Sequence, residues 1–162
     1  MPQSKNLHTY NFRDVVALVG GIALTGFGED DGITISPASE VAELIVGSDG
    51  EKTRVLHNDD SVAVTFALAQ SSAANDLLSA QLRSSRRGGT FALAIKDNRG
   101  RSLLFSKECF VAERPEVVFD SGLNTREWIV IAPFPEEWIG GADTASGLPG
   151  LPSLPGVTLP FG

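Results

Sequence analysis

The chain has 162 residues, 42% of them hydrophobic and 20% charged, a composition suited to one folded domain with a substantial core. A formal net charge of -7 argues against a surface that grips nucleic acid, because neutralising phosphates needs an excess of Lys and Arg; it does not exclude a surface that nucleic acid slides past. The single cysteine, Cys109, excludes an intramolecular disulfide and points to a reducing compartment during synthesis.

No charged-then-apolar leader opens the sequence, and no apolar run approaches the roughly 18 residues of a membrane span. Synthesis in the cytoplasm without a membrane anchor is expected. The dominant period is two, which predicts a mainly β fold. Residues 14–19 and 22–27 flank Gly20-Gly21, a pair able to take the positive φ of a tight hairpin turn. After an acidic turn at Glu29-Asp30-Asp31-Gly32, one long strand is expected from Ile33 to about Val46. Pro37 would sit there at an edge, bulge or bend, because it removes a ladder donor. Gly47-Ser48-Asp49-Gly50 turns the chain, and residues 51–57 return as a polar strand.

Residues 61–70 carry the clearest alternation, with Val62, Val64, Phe66 and Leu68 on one face and Ala63, Thr65, Ala67 and Ala69 on the other. Residues 90–96 repeat it, with Phe91, Leu93 and Ile95 opposite Thr90, Ala92 and Ala94. A sheet with one face in water usually carries charge on that face. Here the second face is small and nearly neutral, so it is expected to be covered or to line a smooth, confined surface. Between these strands residues 73–84 form the one helix. Ser72 is its expected N-cap, Asp76 lies in its first turn, and Leu78 and Leu82 beside Leu77 make a narrow apolar stripe. Gly88-Gly89 stops it.

A turn at Asp97-Asn98-Arg99-Gly100 joins the next hairpin, and further strands are expected at 102–112, 116–120 and 125–132. Pro133-Phe134-Pro135 ends the ladder, and Glu137-Trp138-Ile139-Gly140-Gly141 closes the folded part. The chain thus divides into a domain at 1–142 and a Pro/Gly-rich extension at 143–162, which lacks the periodicity of a core-forming element. Its Leu159-Pro160-Phe161 segment is apolar enough to dock on another surface.

Catalytic and cofactor chemistry finds no support in the motifs. Gly26-Phe27-Gly28 followed by Gly32 lacks the spacing and the following helix of a dinucleotide loop. Glu29, Asp30 and Asp31 lack the spaced ligands of an EF-hand and read as a solvated turn. His8 and His57 are the only histidines, and neither forms a recognisable pair with Cys109, which reads as a small buried hydrophobe. Ser71-Ser72 lacks the G-x-S-x-G of a nucleophile elbow. No catalytic residue, no cofactor and no metal site is expected. Arg83, Arg86 and Arg87 make a basic cluster at the helix end, either solvated or set for a charge contact with a neighbouring subunit. Trp128 and Trp138 read as core or interface anchors, since no basic residues interleave with them as in a base-stacking platform.

Four stretches, in order across residues 12–141, resemble the tail tube proteins of contractile-tailed bacteriophages. They are Thr25-Gly26-Phe27-Gly28-Glu29 with Gly32-Ile33-Thr34-Ile35; Gly50-Glu51-Lys52-Thr53-Arg54; Ser71-Ser72-Ala73-Ala74-Asn75-Asp76-Leu77-Leu78; and Arg126-Glu127-Trp128-Ile129-Val130. The resemblance implies a structural protein and not an enzyme. Its implied fold is a β-sandwich or small barrel with one flanking α-helix. Copies would form a hexameric ring whose inner strands join into one closed β-barrel around a lumen. Rings would stack helically into the tail tube of a virion, assembled in the host cytoplasm. The sheath would drive that tube through the host envelope, and DNA would pass down it. The implied partners are further copies of the chain, the tail sheath protein, the tape measure protein, and the baseplate and tail terminator proteins. The extension after Gly141 departs from the family pattern.

Within that frame an acidic wall keeps polyanionic DNA from sticking. Glu40 and Glu43 are the candidates to face the lumen. Glu51, Lys52 and Arg54, in the loop at 46–59, are candidates for ring-to-ring contact, because a hairpin reaching past the sheet stacks rings head to tail. Arg83, Arg86 and Arg87 are the subunit-contact candidates. The tube of a related secretion or injection machine shares this physics. A monomeric β-barrel holding a small ligand is the remaining alternative, and it predicts an apolar pocket and no rings.

Overall fold

The computed structural model describes residues 11–27, 32–98 and 100–141. The acidic residues Glu29, Asp30 and Asp31 and the extension at 143–162 lie outside them. The strands are β1 (Val15–Val19), β2 (Ile22–Ala23), β3 (Ile33–Pro37), β4 (Ala42–Val46), β5 (Lys52–Leu56), β6 (Val62–Ala69), β7 (Phe91–Asp97), β8 (Leu103–Glu113), β9 (Thr125–Ala132) and β10 (Glu136–Trp138). The helix α1 (Ala74–Arg86) lies between β6 and β7, and a 3-10 turn at Phe12–Asp14 precedes β1. Eight strands form one antiparallel sheet in the order β2-β1-β7-β8-β9-β6-β3, with β10 pairing to β8; β4 and β5 pair with each other as a separate ribbon.

Alternation along the strands decides which face goes inside. Val62, Val64, Phe66 and Leu68 of β6 are buried, while Ala63, Thr65, Ala67 and Ala69 between them stay partly exposed. Phe91, Leu93 and Ile95 of β7 and Trp128, Val130 and Ala132 of β9 are buried in the same way. They share one core with Ala17 and Val19 of β1. Since β1 and β6 lie near opposite ends of the strand order, the sheet must fold back on itself to bring them together. The result is a sandwich whose two layers are continuous through β8.

A bulge in β8 makes that continuity possible. Leu93 pairs with Ser106 but Phe91 pairs with Cys109, so one extra residue is accommodated around Lys107 and Glu108. Strict alternation from Leu104 and Ser106 would bury Glu108 and expose Cys109. The bulge reverses this: Cys109 and Val111 are buried and Glu108 is exposed. Desolvation raises the pKa of the Cys109 thiol, leaving it inert, as its reading as a small hydrophobe requires. On the flank of β8 away from β7, the first half of the strand pairs with β10 and the second half with β9.

The helix packs against the core beside β8. Leu78 is fully buried, with Leu77 and Leu82 packed on the core. Asn75 ties three elements together. Its Nδ2 donates to the carbonyls of Ala69 and Ser72, each at 3.0 Å, and its Oδ1 accepts the indole N–H of buried Trp128 at 3.0 Å. Asn75→Ala should therefore cost about 2 kcal/mol, because the buried indole N–H loses its acceptor. Urea unfolding measures this, and the cost should shrink in a Trp128→Phe background, where the stranded donor is gone.

Several expectations are corrected. The long strand from Ile33 to about Val46 is two strands separated by a bend at residues 38–41. Pro37 ends β3, and the bend is pinned by the Ala38 N–H donating to the Ser61 carbonyl at 3.0 Å and Ser39 Oγ donating to the Asp59 carbonyl at 2.7 Å. Residues 116–120 are not a strand; they follow Pro115 into an irregular loop, where Asp120 accepts from the Gly122 N–H and from Asn124 Nδ2. The strand expected at 22–27 is only Ile22–Ala23, because Gly26 turns the chain with φ 79° and Phe27 makes an isolated bridge to Leu68. Ala73 rather than Ser72 occupies the N-cap position. Ser72 Oγ still accepts the Ala74 N–H at 3.2 Å while donating to the Thr25 carbonyl at 2.6 Å, so it anchors the helix start to the segment after β2. Among the described residues the sheet is not a closed barrel; it stays open between β3 and the β2-β1 end.

Candidate assembly surfaces

The first surface is the free edge of β3. The register sets Thr34 opposite Thr65 and Ser36 opposite Ala63. In the same register Ala67 N–H donates to the Gly32 carbonyl and Ala38 N–H to the Ser61 carbonyl. The backbones of Thr34 and Ser36 therefore face β6, whereas the N–H and C=O groups of Ile33 and Ile35 point away from the sheet. Among the described residues no strand meets them. Pro37 offers only a carbonyl and ends the row. Bare donors and acceptors of this kind are a template for another strand.

At the other side of this layer β8 runs past the start of β7, whose pairing begins at Phe91 with Cys109. Ser85 Oγ of α1 accepts the Val111 N–H there at 3.0 Å, covering part of that edge. The four strands β3, β6, β9 and the end of β8 alternate in direction, each antiparallel to the next.

The second surface is the ribbon of β4 and β5. Its register places Ala42, Leu44 and Val46 opposite Leu56, Arg54 and Lys52 on one face, with Glu43 and Ile45 opposite Val55 and Thr53 on the other. Among the described residues no layer covers either face. Leu44 is 61% exposed, Val46 58% and Leu56 59%. A lone two-stranded ribbon is marginal in water, and contiguous apolar side chains on its surface mark a place where another protein docks. Val117, Val118, Phe119 and Leu123 expose further apolar surface in the loop before β9.

The ribbon also collects several of the charged candidates. Glu43 lies on β4, Lys52 and Arg54 on β5, and Glu51 in the turn, where its carbonyl accepts the Gly47 N–H at 2.7 Å. Glu43 lies 3.9 Å from His57 Nε2; both are exposed, so the pair contributes little to stability. Glu40 sits in the bend at the ribbon's root, not on a continuous strand with Glu43. Arg83 and Arg86 occupy the last turn of α1 and Arg87 its C-cap, forming a separate exposed patch. Residue reasoning missed the apolar face of the ribbon and the edge of β3. The signal for the first was Leu44-Ile45-Val46, a run without alternation, which in a strand means that both faces expect cover.

No His, Cys, Asp or Glu cluster able to hold a metal occurs among the described residues, and no helix there is long and apolar enough to cross a membrane. One mainly apolar cavity of about 350 Å³ opens between β1, β3 and β10.

Residues 7–137 match the family described as the bacteriophage PhiTE tail tube protein. The chain is also 37% identical over 111 residues to "Structural protein ORF10" of Pseudomonas phage KPP10, a match covering 66% of this chain and 64% of that protein, a little under two thirds of the relative's length. Two solved structures share the fold at low identity. One is the sheath-tube complex of the extracellular contractile injection system PVC in its extended state, with a TM-score of 0.52 at 12% identity over 76% of this chain and 87% of that one. The other is the tube-terminating cap of the anti-feeding prophage, with a TM-score of 0.54 at 6% identity over 85% of this chain and 95% of that one. The chain belongs to the PhiTE tail tube protein family of bacteriophages, a structural family and not a family of enzymes.

Proposed function

We propose that this protein forms the wall of a hollow phage tail tube, with hexameric rings closed edge to edge by their sheets and stacked by the β4-β5 ribbon. The free edge of β3 carries the reading. Because β3, β6, β9 and β8 alternate in direction, placing β3 of one copy beside the end of β8 of the next continues the antiparallel order. Repetition around a ring closes this layer and pairs the bare edge of β3. The outward face of this layer would then line the lumen. Its side chains include Thr34, Ser36, Ala63, Thr65, Ala67 and Glu127, with no lysine or arginine among these to hold a phosphate.

In this reading DNA passes through the lumen when a sheath contracts around the tube. The tape measure protein fills the lumen before that, and baseplate and terminator proteins close the two ends. Arg83, Arg86 and Arg87 at the helix end face a neighbouring subunit or the sheath. The subunit is made in the host cytoplasm and ends in the virion tail. Membership of a phage tail tube family favours a phage over a secretion or bacteriocin-like machine, and the open sheet edge favours assembly over a monomeric ligand-binding barrel, even though an apolar cavity exists.

Negative-stain microscopy of the purified protein tests the reading: rings and tubes are expected, and a population of monomers alone under assembly conditions overturns it. Glu40 and Glu43 are proposed to face the lumen at the ring's rim. Substituting both with Lys should leave tubes of normal appearance but lower infectivity, because cations on the wall retain the passing phosphates. Unchanged infectivity removes them from that role.

A further inference from the structure

The edge pairing proposed above decides which surfaces meet at a subunit boundary. From Leu103 to Cys109 one flank of β8 is taken by β7, whose pairing starts with Phe91 opposite Cys109. Among the described residues only 110–113 of that flank lack a strand partner. When β3 of a second copy lies antiparallel along them, it runs towards Cys109, so its Pro37 end points at the start of β7. Two chain segments then come together across the boundary: the one leading out of β3 in one copy and the one leading into β7 in the next.

They carry opposite charge. The segment leading into β7 is the end of α1, with Arg83, Arg86 and Arg87 all exposed and no acidic residue from there to Phe91. Ser85 Oγ, accepting the Val111 N–H at 3.0 Å, holds this turn against the free part of β8. An open groove of about 460 Å³ lies there, lined by Ala80, Arg83, Ser84, Arg87 and Gly89. Among the described residues none of the three arginines forms an ion pair. On the other side, the bend after Pro37 is tied to residues 59–61 by the bonds from Ala38 and Ser39. Asp59 and Asp60 are exposed, and neither 38–41 nor 57–61 contains a lysine or arginine. Ser61 Oγ and N–H donate to Asp59 Oδ1 at 2.6 and 3.1 Å, which holds that carboxyl below its ordinary pKa and keeps it charged. Burial, and then the Asp60 carboxylate, raise the pKa of Glu137, so Asp60 stands beside a further acidic group.

We propose that Asp59 and Asp60 of one subunit receive Arg83, Arg86 and Arg87 of the next, in an ionic contact that sets the register of β3 on β8. Charge complementarity selects a second copy of this chain as the partner. Copies with a net charge of -7 repel one another except where cations are concentrated, and three of the 13 Lys and Arg stand in this one turn. The seam needs a register device, because β3 has only five residues and Thr34 and Ser36 on its outward face are small. A slip of two residues keeps every side chain on its own face, yet it moves the aspartates about 7 Å from the arginines. Exposed ion pairs contribute little to stability. What they supply is discrimination, since like charges brought together are costly. The inference rests on the edge-to-edge ring and names the contact that aligns it.

Charge reversal in the full-length protein tests it. Asp60→Arg and Arg87→Asp, each alone, put like charges at every boundary, and the concentration at which rings form in sedimentation velocity should rise about tenfold or more. Both residues are exposed, so circular dichroism and the urea midpoint should stay those of the native protein. Mixing the two variants in equal amounts should restore rings at close to the native concentration, because copies alternating around a ring present opposite charges at every boundary. Failure of the mixture to restore rings overturns the contact. So do rings formed by either variant alone at the native concentration. Absence of rings from the native protein is a different result: it overturns the ring reading itself, and this contact with it.

Discussion

Ile35→Pro should abolish ring formation while leaving the subunit folded. The N–H of Ile35 points away from β6, so proline there removes no ladder bond to β6. Proline is tolerated at such edge positions for that reason. It does remove the donor that an incoming strand needs, and its ring obstructs the approach. Each ladder bond contributes only about 1 kcal/mol, but the loss recurs at every subunit boundary and a ring cannot close with all of its seams weakened. Two controls separate this from ordinary damage. Ile35→Ala loses similar packing against the cavity yet keeps the N–H, and rings should persist. Thr34→Pro attacks the side of β3 that faces β6, and the subunit itself should lose stability. Sedimentation velocity with far-UV circular dichroism reads out all three. Rings from the Ile35→Pro protein would remove β3 from the subunit boundary.

Replacing Leu44 and Val46 together with Ser should give rings that do not stack. Both side chains lie on the same face of the ribbon and are more than half exposed. Fully burying a Leu or Val contributes about 1.5–3 kcal/mol. In the proposed assembly a ring would present several ribbons at once, so loss at each would multiply through the ring-to-ring contact. The substitutions expose no core atom and break no backbone pair, so the subunit should unfold at nearly the same urea concentration. Microscopy should show short discs in place of tubes. Tubes of ordinary length would exclude the ribbon from stacking, and loss of rings would move it to contacts within the ring.

Much of the fold was legible because its signals are local. The alternation in β6 and β7 and the Gly20-Gly21 turn each obey a rule that a few residues satisfy by themselves. The helix α1 was legible too, though Ala73 and not Ser72 takes its N-cap position. The misses are places where distant residues decide. Pro37 announced an edge or bend, but only the bonds from Ala38 and Ser39 to Ser61 and Asp59 turn it into a break that sends β4 out of the sheet. The apolar pattern of Leu44, Ile45 and Val46 was visible, while its lack of cover was not, since exposure is a property of what surrounds the ribbon. The charged candidates Glu51, Lys52 and Arg54 were placed on a projecting hairpin because turn residues mark hairpins directly. Cys109 was read as buried from residue type alone. The bulge that puts it there involves Lys107 and Glu108, whose sequence carries no turn chemistry, and it could be seen only in the pairing with β7.

The sharing of β8 between the two layers has a mechanical consequence. In a common sandwich the layers meet only through side chains, and they slide when load is applied along their plane. Here the strand that pairs with β7 in one layer continues into pairing with β9 in the other. A thrust entering one layer reaches the other along a covalent backbone flanked by hydrogen bonds. Sliding the layers past one another would mean tearing the ladder of β8 on both flanks. In the proposed tube such subunits would resist axial shear between their layers, with the bulge at Lys107 and Glu108 lying where the two layers join.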